Sequence, residues 1–154
     1  FHPEVYRAAA RVHLGAGRHS AAEEVLRGGL GAADPVTDVR RDLIDLLLSE
    51  DRAAEAVDYL GEHVDRHPRD VDMLHNLAVA LADVGRGEDA ESVASDLIPV
   101  APDDPRGYID LGIIMARQGR LEEARATFRE GLAHCRDDAR FLANLDRVER
   151  MLTE

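Results

Sequence analysis

Residues 105–138 read PRGYIDLGIIMARQGRLEEARATFREGLAHCRDD, and the three segments of equal length before them share their spacing. The clearest shared feature is an alanine that recurs at a constant interval, at Ala22, Ala56, Ala90 and Ala124. An arginine stands four residues before each alanine, at Arg18, Arg52, Arg86 and Arg120. A period this regular indicates one supersecondary unit stacked several times. We therefore expect an array of four structural repeats.

The order of large and small residues within each unit resembles the tetratricopeptide repeat (TPR), a helix–turn–helix module. The resemblance covers residues 3–138 as repeats 3–36, 37–70, 71–104 and 105–138. It implies an all-α fold, namely a right-handed superhelical solenoid of helix–turn–helix repeats, in one TPR domain over residues 1–154. The fullest signature is in repeat four, counted from Pro105 as position 1: Tyr108 at 4, Leu111 at 7, Gly112 at 8, Ala124 at 20 and Phe128 at 24.

Position 15 marks the turn between the two helices of each repeat. Gly17, Gly85 and Gly119 stand there, and glycine ends a helix in the left-handed conformation at no steric cost. Repeat two has Asp51 instead, and aspartate tolerates that conformation better than most residues. We expect paired helices of about 12–14 residues on either side of this turn, each about 20 Å long.

Proline and glycine also mark the second helices. Pro35, Pro68 and Pro102 are expected to stop the second helices of the first three repeats, because proline cannot continue a helix. Pro99 is expected to cut the second helix of repeat three short. Gly28-Gly29 is expected to make the second helix of repeat one end early, since each glycine costs about 1 kcal/mol relative to alanine.

The segment 139–154 is different from the repeats. Its apolar residues have helical spacing, which predicts a capping helix over the exposed end of repeat four, as solenoids require. These apolar residues are Phe141, Leu142, Leu145, Val148, Met151 and Leu152.

The net charge of −12 is concentrated in the middle of the chain, with −5 in residues 37–70 and −7 in residues 71–104. Such a field repels nucleic acid and favours basic partners, or it keeps the surface solvated. No stretch has the roughly 20 apolar residues of a membrane span, so no membrane partner is expected. Cys135 is the single cysteine, which is typical of a reducing compartment and predicts a cytoplasmic location.

No motif in the chain indicates an enzyme. No glycine-rich phosphate loop follows a strand, and no motif around Cys135 supports catalysis. His63 and His67 are four residues apart, but His67 precedes Pro68, which disfavours helical geometry there. We therefore expect no catalytic residue, no cofactor and no metal.

The resemblance implies that the first helix of each repeat lines a concave groove that binds a protein or peptide partner. Mapping the groove positions of the family onto this chain gives a mixed surface, with arginines at both ends, carboxylates between them and an apolar patch. The candidate peptide-binding residues are Arg7, Arg11, Arg41, Asp42, Asp45, Asp72, His75, Asn76, Val79, Arg106, Ile109, Asp110, Ile113 and Arg117.

Several functions stay open at this point. The first is a scaffold that binds an extended segment of a partner in the groove. The alternatives are a self-association module, which would make a homo-oligomer, and a regulatory domain of a larger protein. One TPR subclass clamps the C-terminal carboxylate of chaperones; Asp45 and Asp110 stand where that clamp uses asparagine and a basic residue, and they would repel an anion.

Overall fold

The computed structural model describes residues 2–31 and 37–153, which form nine α-helices and no strand. The helices are α1 (Pro3–Gly15), α2 (His19–Leu30), α3 (Thr37–Ser49), α4 (Ala53–Arg66), α5 (Val71–Asp83), α6 (Gly87–Val100), α7 (Pro105–Arg117), α8 (Leu121–His134) and α9 (Ala139–Thr153). The first helices of the repeats begin at the interval of the sequence period, and so do the second helices. The predicted all-α repeat fold and the helix lengths are confirmed.

The turn at position 15 has the predicted geometry. Gly17, Gly85 and Gly119 have φ values of 68°, 81° and 78°, and Asp51 has a φ of 58°. The residue after each of them donates its backbone N–H to a carbonyl five residues earlier, as from Arg52 to Leu47 at 2.9 Å. This hydrogen bond satisfies a carbonyl that the end of the first helix would otherwise leave without a partner.

The chain divides into two compact units, the first ending at His63 and the second beginning at Val64. The division lies inside α4, three residues before that helix ends at Arg66. A single domain over residues 1–154 stays a prediction.

In the first unit, α1 packs against α2 and both contact α3. Leu26, Leu43 and Leu47 are fully buried, and so is Ile44, which is larger than the alanine or glycine at the same position of the other repeats. Arg40 is buried as well, and its guanidinium lies 3.1 Å from Glu62 of α4.

The second helix of repeat one ends early, as predicted. α2 has 12 residues, whereas α4, α6 and α8 each have 14. Gly29 also has a packing role, because a Cβ at this position would lie 2.9 Å from Cγ of Tyr6 and 3.1 Å from Cγ1 of Val39. The glycine therefore lets α2 approach α1 and α3 closely.

In the second unit, α5 packs on α6, α6 on α7 and α7 on α8. The core around repeat four is formed by Tyr108, Ile109, Ala124, Phe128, Phe141 and Val148. α9 contributes the last two of these residues, and it contacts both α7 and α8. The prediction of a capping helix over repeat four is confirmed. Leu142, which was expected on the packed face, is 59% exposed, because it lies about 100° around the helix from Phe141.

The proline expectations had mixed outcomes. α4 and α6 end just before His67-Pro68 and Ala101-Pro102, as predicted, while Pro35 lies outside the described residues. The expectation for Pro99 was wrong, since α6 continues through it to Val100. Pro99 stands in the last turn and is exposed, so its ring removes only one hydrogen bond near the end of the helix.

The repeated arginines join neighbouring repeats in pairs. Arg52 lies 2.6 Å from Glu23 of repeat one, and Arg120 lies 2.7 Å from Glu91 of repeat three. Arg86 instead contacts Asp89 of its own repeat, three residues ahead. The residue of repeat two that corresponds to Glu23 and Glu91 is Val57, which has no carboxylate.

Candidate functional site

In the first unit, the predicted groove residues lie on α1 and α3. Four of them line a pocket of about 340 Å³, which we call the α1–α3 pocket. Its apolar floor includes the buried side chains of Leu26 and Leu46. The lining residues are Arg7, Ala10, Arg11, Leu14, His19, Leu26, Asp42, Asp45, Leu46 and Ser49.

The charge of Arg7 is compensated inside this pocket. Arg7 donates from Nε to Oδ2 of Asp42 at 2.7 Å and from the terminal NH2 group to Oδ1 at 3.3 Å. The hydrogen bond to Asp42 raises the pKa of the guanidinium, with smaller contributions from Asp38 and Glu4. Arg11 is exposed and makes no hydrogen bond or ion pair with any residue that the structure describes, so it is the cation available to a ligand.

In the second unit, the predicted residues lie on the neighbouring helices α5 and α7. We call this the α5–α7 surface, and its members are Asp72, His75, Asn76, Val79, Arg106, Ile109, Asp110, Ile113 and Arg117.

The charged residues of the α5–α7 surface contact one another. Nδ1 of His75 lies 2.6 Å from Oδ2 of Asp110, whose side chain is buried. Arg106 donates to Asp72 at 2.8 Å and to Asp104 at 2.7 Å. These hydrogen bonds, first the one to Asp104, raise the pKa of Arg106, and Arg106 lowers the pKa of Asp104. Arg106 therefore belongs to a local ion-pair network.

The same relationship recurs in both units. Arg7 contacts Asp42 and His75 contacts Asp110, and each pair joins position 5 of one repeat to position 6 of the next. The fixed offset shows that the first helices of adjacent repeats meet at an equivalent point within each unit.

The apolar part of the α5–α7 surface is smaller than the sequence indicated. Val79 is 39% exposed and Ile113 is 38% exposed, and both stand at position 9 of their repeats. Ile109 is buried in the core around Phe128, because its side chain packs inward beside Tyr108. Asn76 lies three residues before Val79 in α5 and is half-buried.

A second pocket, of about 200 Å³, lies between α7, α8 and α9, and we call it the α7–α9 pocket. The sequence had assigned α9 to capping alone, so its contribution here was missed. The signal was the spacing of Asn144, Arg147 and Met151, which puts them on one helical face. The lining residues are Ile113, Ala116, Arg117, Phe128, Asn144, Arg147, Val148 and Met151.

The single thiol lacks the environment of a reactive cysteine. Cys135 is half-buried, and its Sγ lies 3.4 Å from the carbonyl oxygen of Asp103. Burial and the nearby carboxylates raise the pKa of the thiol, which disfavours the nucleophilic thiolate.

In residues 2–31 and 37–153, no group of three or more His, Cys, Asp or Glu side chains is arranged to hold a metal ion. None of the helices in these residues combines the length and apolar character needed to cross a membrane.

The chain is similar to two known proteins over more than half of its length. It is 32% identical over 92 residues to the Hsp70-Hsp90 organising protein of Plasmodium falciparum, covering 60% of this chain and 36% of that protein. It is 27% identical to human aspartyl/asparaginyl beta-hydroxylase, covering 83% of this chain and 19% of that protein. The chain thus spans about a third or less of the length of these relatives.

Among solved structures, YrrB, described as a TPR protein with an unusual peptide-binding site, superimposes with a TM-score of 0.80. The identity is 18%, and the match covers 92% of this chain and 73% of that one, so it shows the fold alone. Profiles of the tetratricopeptide repeat match residues 7–71, 47–108 and 105–130. The repeat period, the helix boundaries and these matches agree, and the chain belongs to the tetratricopeptide repeat family.

Proposed function

We propose that this protein is a non-catalytic interaction module that binds an extended segment of a partner protein along the first helices of its repeats. The observation that carries the proposal is the exposure of Val79 and Ile113. Most other large apolar residues of α5 and α7 are buried, whereas these two stay more than a third exposed at equivalent positions of adjacent repeats. Exposed apolar side chains framed by polar groups are typical of a binding surface.

The surrounding polar groups suit a peptide backbone. The amide of Asn76 offers both a donor and an acceptor, which match the carbonyl and N–H of an extended chain. Asp72 and Asp83 are exposed and pair with Arg106 and Arg117 of α7, so a charged ligand would compete with these ion pairs. These charges affect the association rate and its salt dependence more than the residence time.

Similarity to other proteins supports a protein ligand. YrrB is described as having a peptide-binding site, and the organising protein is named for two chaperones. A chaperone-type carboxylate clamp is disfavoured here at Asp45, which is exposed on α3. Asp110 is buried against Nδ1 of His75, so its carboxylate is not exposed to a ligand anion. We propose a cytoplasmic location, because a single cysteine is typical of a protein in a reducing compartment.

The test uses short random peptides, displayed on phage and selected on the folded protein. The affinity of each enriched peptide is then measured by fluorescence anisotropy for the wild type and for the double variant Asn76→Ala, Val79→Asp. We expect the dissociation constant to rise at least about tenfold, which corresponds to about 1.4 kcal/mol. The control is Ser95→Ala, Leu142→Asp, which makes similar chemical changes at exposed positions of α6 and α9. Equal loss in both double variants, or in neither, would rule out the α5–α7 surface.

A second candidate function, self-association, is favoured by the outer face of α1. Val5 and Val12 are 64% and 67% exposed and stand at positions 3 and 10 of repeat one. In the later repeats the residues at these positions are buried: Val39, Met73 and Gly107 at position 3, and Leu46, Ala80 and Ile114 at position 10. Val39 meets Gly29 of the preceding repeat, and Gly107 meets Ile98.

The outer face of α1 therefore offers a surface of the kind that another helix covers elsewhere in the chain. Under this second proposal, a further copy of the protein packs its own helix there. Light scattering after size exclusion should show a mass that rises with concentration in the wild type and stays monomeric in Val5→Asp, Val12→Asp. A wild type that is monomeric at every concentration would contradict it.

A further inference from the structure

The α7–α9 pocket is large enough to hold one apolar side chain. Its volume is about 200 Å³, and an apolar cavity of about 150 Å³ already admits benzene. Its floor is formed by Phe128 and Val148, which are nearly completely buried. Its walls include Ile113 and Met151, which stay 38% and 43% exposed. A ligand side chain entering the pocket would therefore contact apolar atoms on several sides and cover the exposed side chains of Ile113 and Met151.

The charged side chains that line the pocket are both arginines, although the protein around it is acidic. Residues 64–154 contain 12 arginines and 19 acidic residues, a net charge of −7. The pocket is nevertheless lined by Arg117, Arg147 and Asn144, and by no carboxylate of the described residues. Arg117 donates to Asp83 and to the carbonyl of Ala82, each at 3.1 Å.

Arg147 is the group that this rim offers to a ligand. It is exposed on α9 and makes no hydrogen bond or ion pair with any residue in the described ranges. A guanidinium pairs with a carboxylate through two parallel N–H···O bonds, so it selects a carboxylate by geometry as well as by charge. None of the described residues that line the pocket is acidic, so no lining residue would repel a carboxylate at this rim.

We propose that the α7–α9 pocket is a specificity site for an internal segment of a partner protein in which a bulky aliphatic or aromatic residue stands directly beside Asp or Glu. The apolar side chain fills the pocket above Phe128, and the neighbouring carboxylate pairs with Arg147. This inference rests on the proposed function, because it extends the contact of the partner segment from the α5–α7 surface, which shares Ile113 and Arg117 with the pocket, to α9. It also assigns the capping helix to recognition.

The first test is the sequence of the peptides selected on the wild-type protein. The peptides are displayed as N-terminal fusions, so none has a free C-terminus. We expect enrichment of a large apolar residue next to Asp or Glu. The best peptide is then synthesised with a free and with an amidated C-terminus, and we expect equal affinities. Dependence on the free carboxylate, or enrichment without the apolar–acidic pair, would overturn the inference.

The second test fills the pocket. Ala116→Leu places a larger side chain in the lining without introducing a poor helix former. We expect the dissociation constant of the selected peptide to rise at least about tenfold, while Ala126→Leu, at an exposed position of α8, leaves it unchanged. Thermal melting of both variants checks that the fold is retained. Unchanged binding by a folded Ala116→Leu variant would overturn the inference.

The third test exchanges the charges and holds even if Ala116→Leu misfolds. The Arg147→Glu variant should have a lower affinity for the acidic peptide than the wild type has. It should have a higher affinity for the same peptide in which Asp or Glu is replaced by Arg. The control is Arg136→Glu, which makes the same charge change at an exposed residue outside the pocket. Absence of this exchange in preference would overturn the pairing with Arg147.

The outcomes separate this inference from the proposed function. If Asn76→Ala, Val79→Asp abolishes peptide binding and the pocket variants do not, the pocket assignment is wrong and the proposed function stands. If no peptide binds the wild type, both are wrong. If Ala116→Leu changes only the mass of the protein in solution, the occupant is a second copy of the chain, and the inference is overturned.

Discussion

The guanidinium of Arg52 lies 2.6 Å from the carboxylate of Glu23, and the two residues belong to successive repeats. Glu23 also accepts a hydrogen bond from Arg27 of its own helix at 2.7 Å. The bond from Arg52 contributes most to lowering the pKa of Glu23 from 4.5 to about 2. A carboxyl group whose pKa is lowered on folding stabilises the folded state above its unfolded pKa, and this stabilisation is lost as the pH falls towards the folded pKa.

Glu23→Gln should therefore destabilise the protein at neutral pH, by about 1 kcal/mol. The difference from the wild type should shrink as the pH falls from about 5 towards 2, because the unfolded chain takes up a proton at Glu23 near pH 4.5, whereas the folded chain takes it up only near pH 2. Urea denaturation at several pH values measures this. Glu24→Gln is the matched control, since Glu24 is exposed and pairs with no described residue. A difference that does not change with pH would contradict the assignment.

Two adjacent glycines should respond in opposite directions. Gly29→Ala should destabilise the protein by about 1–3 kcal/mol, because its Cβ would lie 2.9 Å from the ring of Tyr6. Gly28→Ala should be neutral or stabilise by up to about 1 kcal/mol, since its nearest contact would be at 4.0 Å and alanine favours the helix. Thermal or urea denaturation of the two variants decides. Similar effects at both positions would mean that α2 packs less closely than described.

Ala124 is completely buried between the helices of repeat four. Ala124→Leu should overpack the contact with α7 and cost about 1–3 kcal/mol. Ala126→Leu, two residues along and exposed, should leave the melting temperature nearly unchanged. An unchanged melting temperature for Ala124→Leu would contradict the position of this residue in the repeat.

Substitutions of two neighbouring apolar residues test how the capping helix packs on repeat four. Phe141 is completely buried and Leu142 is 59% exposed. Phe141→Ala should destabilise the protein by about 3–5 kcal/mol, and Leu142→Ala by less than about 0.5 kcal/mol. If both cost little in urea denaturation, α9 does not hold the end of repeat four.

The sequence predicted the helices well because their ends depend on local chemistry that recurs at the same positions of every repeat. The left-handed conformation of Asp51 followed from the glycines in its column. Pro99 was misjudged because the cost of a proline depends on how many turns follow it, and only one residue of α6 does. Ile109 was placed on the surface because its position lines the groove in the family, whereas here it packs into the core.

The candidate site was predicted less completely, because its contacts depend on distances between helices. That Arg106 pairs with both Asp72 and Asp104 could not be predicted without the distance between α5 and α7. The α7–α9 pocket brings Ile113 of α7 together with Met151 of α9, and no repeat period relates these residues. A comparison of the repeats position by position could have found one kind of contact. These are the pairs that join position 5 to position 6 of the next repeat, such as Arg7 with Asp42.

The ion pairs between adjacent repeats limit the length of chain that can be removed or copied while those pairs are kept. Deleting residues 37–70 alone would align Arg7 with Asn76, and the ion pair between those two positions would be lost.

Deleting residues 37–104 would instead join repeat one to repeat four. The former Arg120 would then take the place of Arg52 relative to Glu23, and the former Asp110 would take the place of Asp42 relative to Arg7. Both charged pairs would keep a complementary partner. For shortening or extending this array, the module is therefore a block of two repeats rather than the single repeat that its helices suggest.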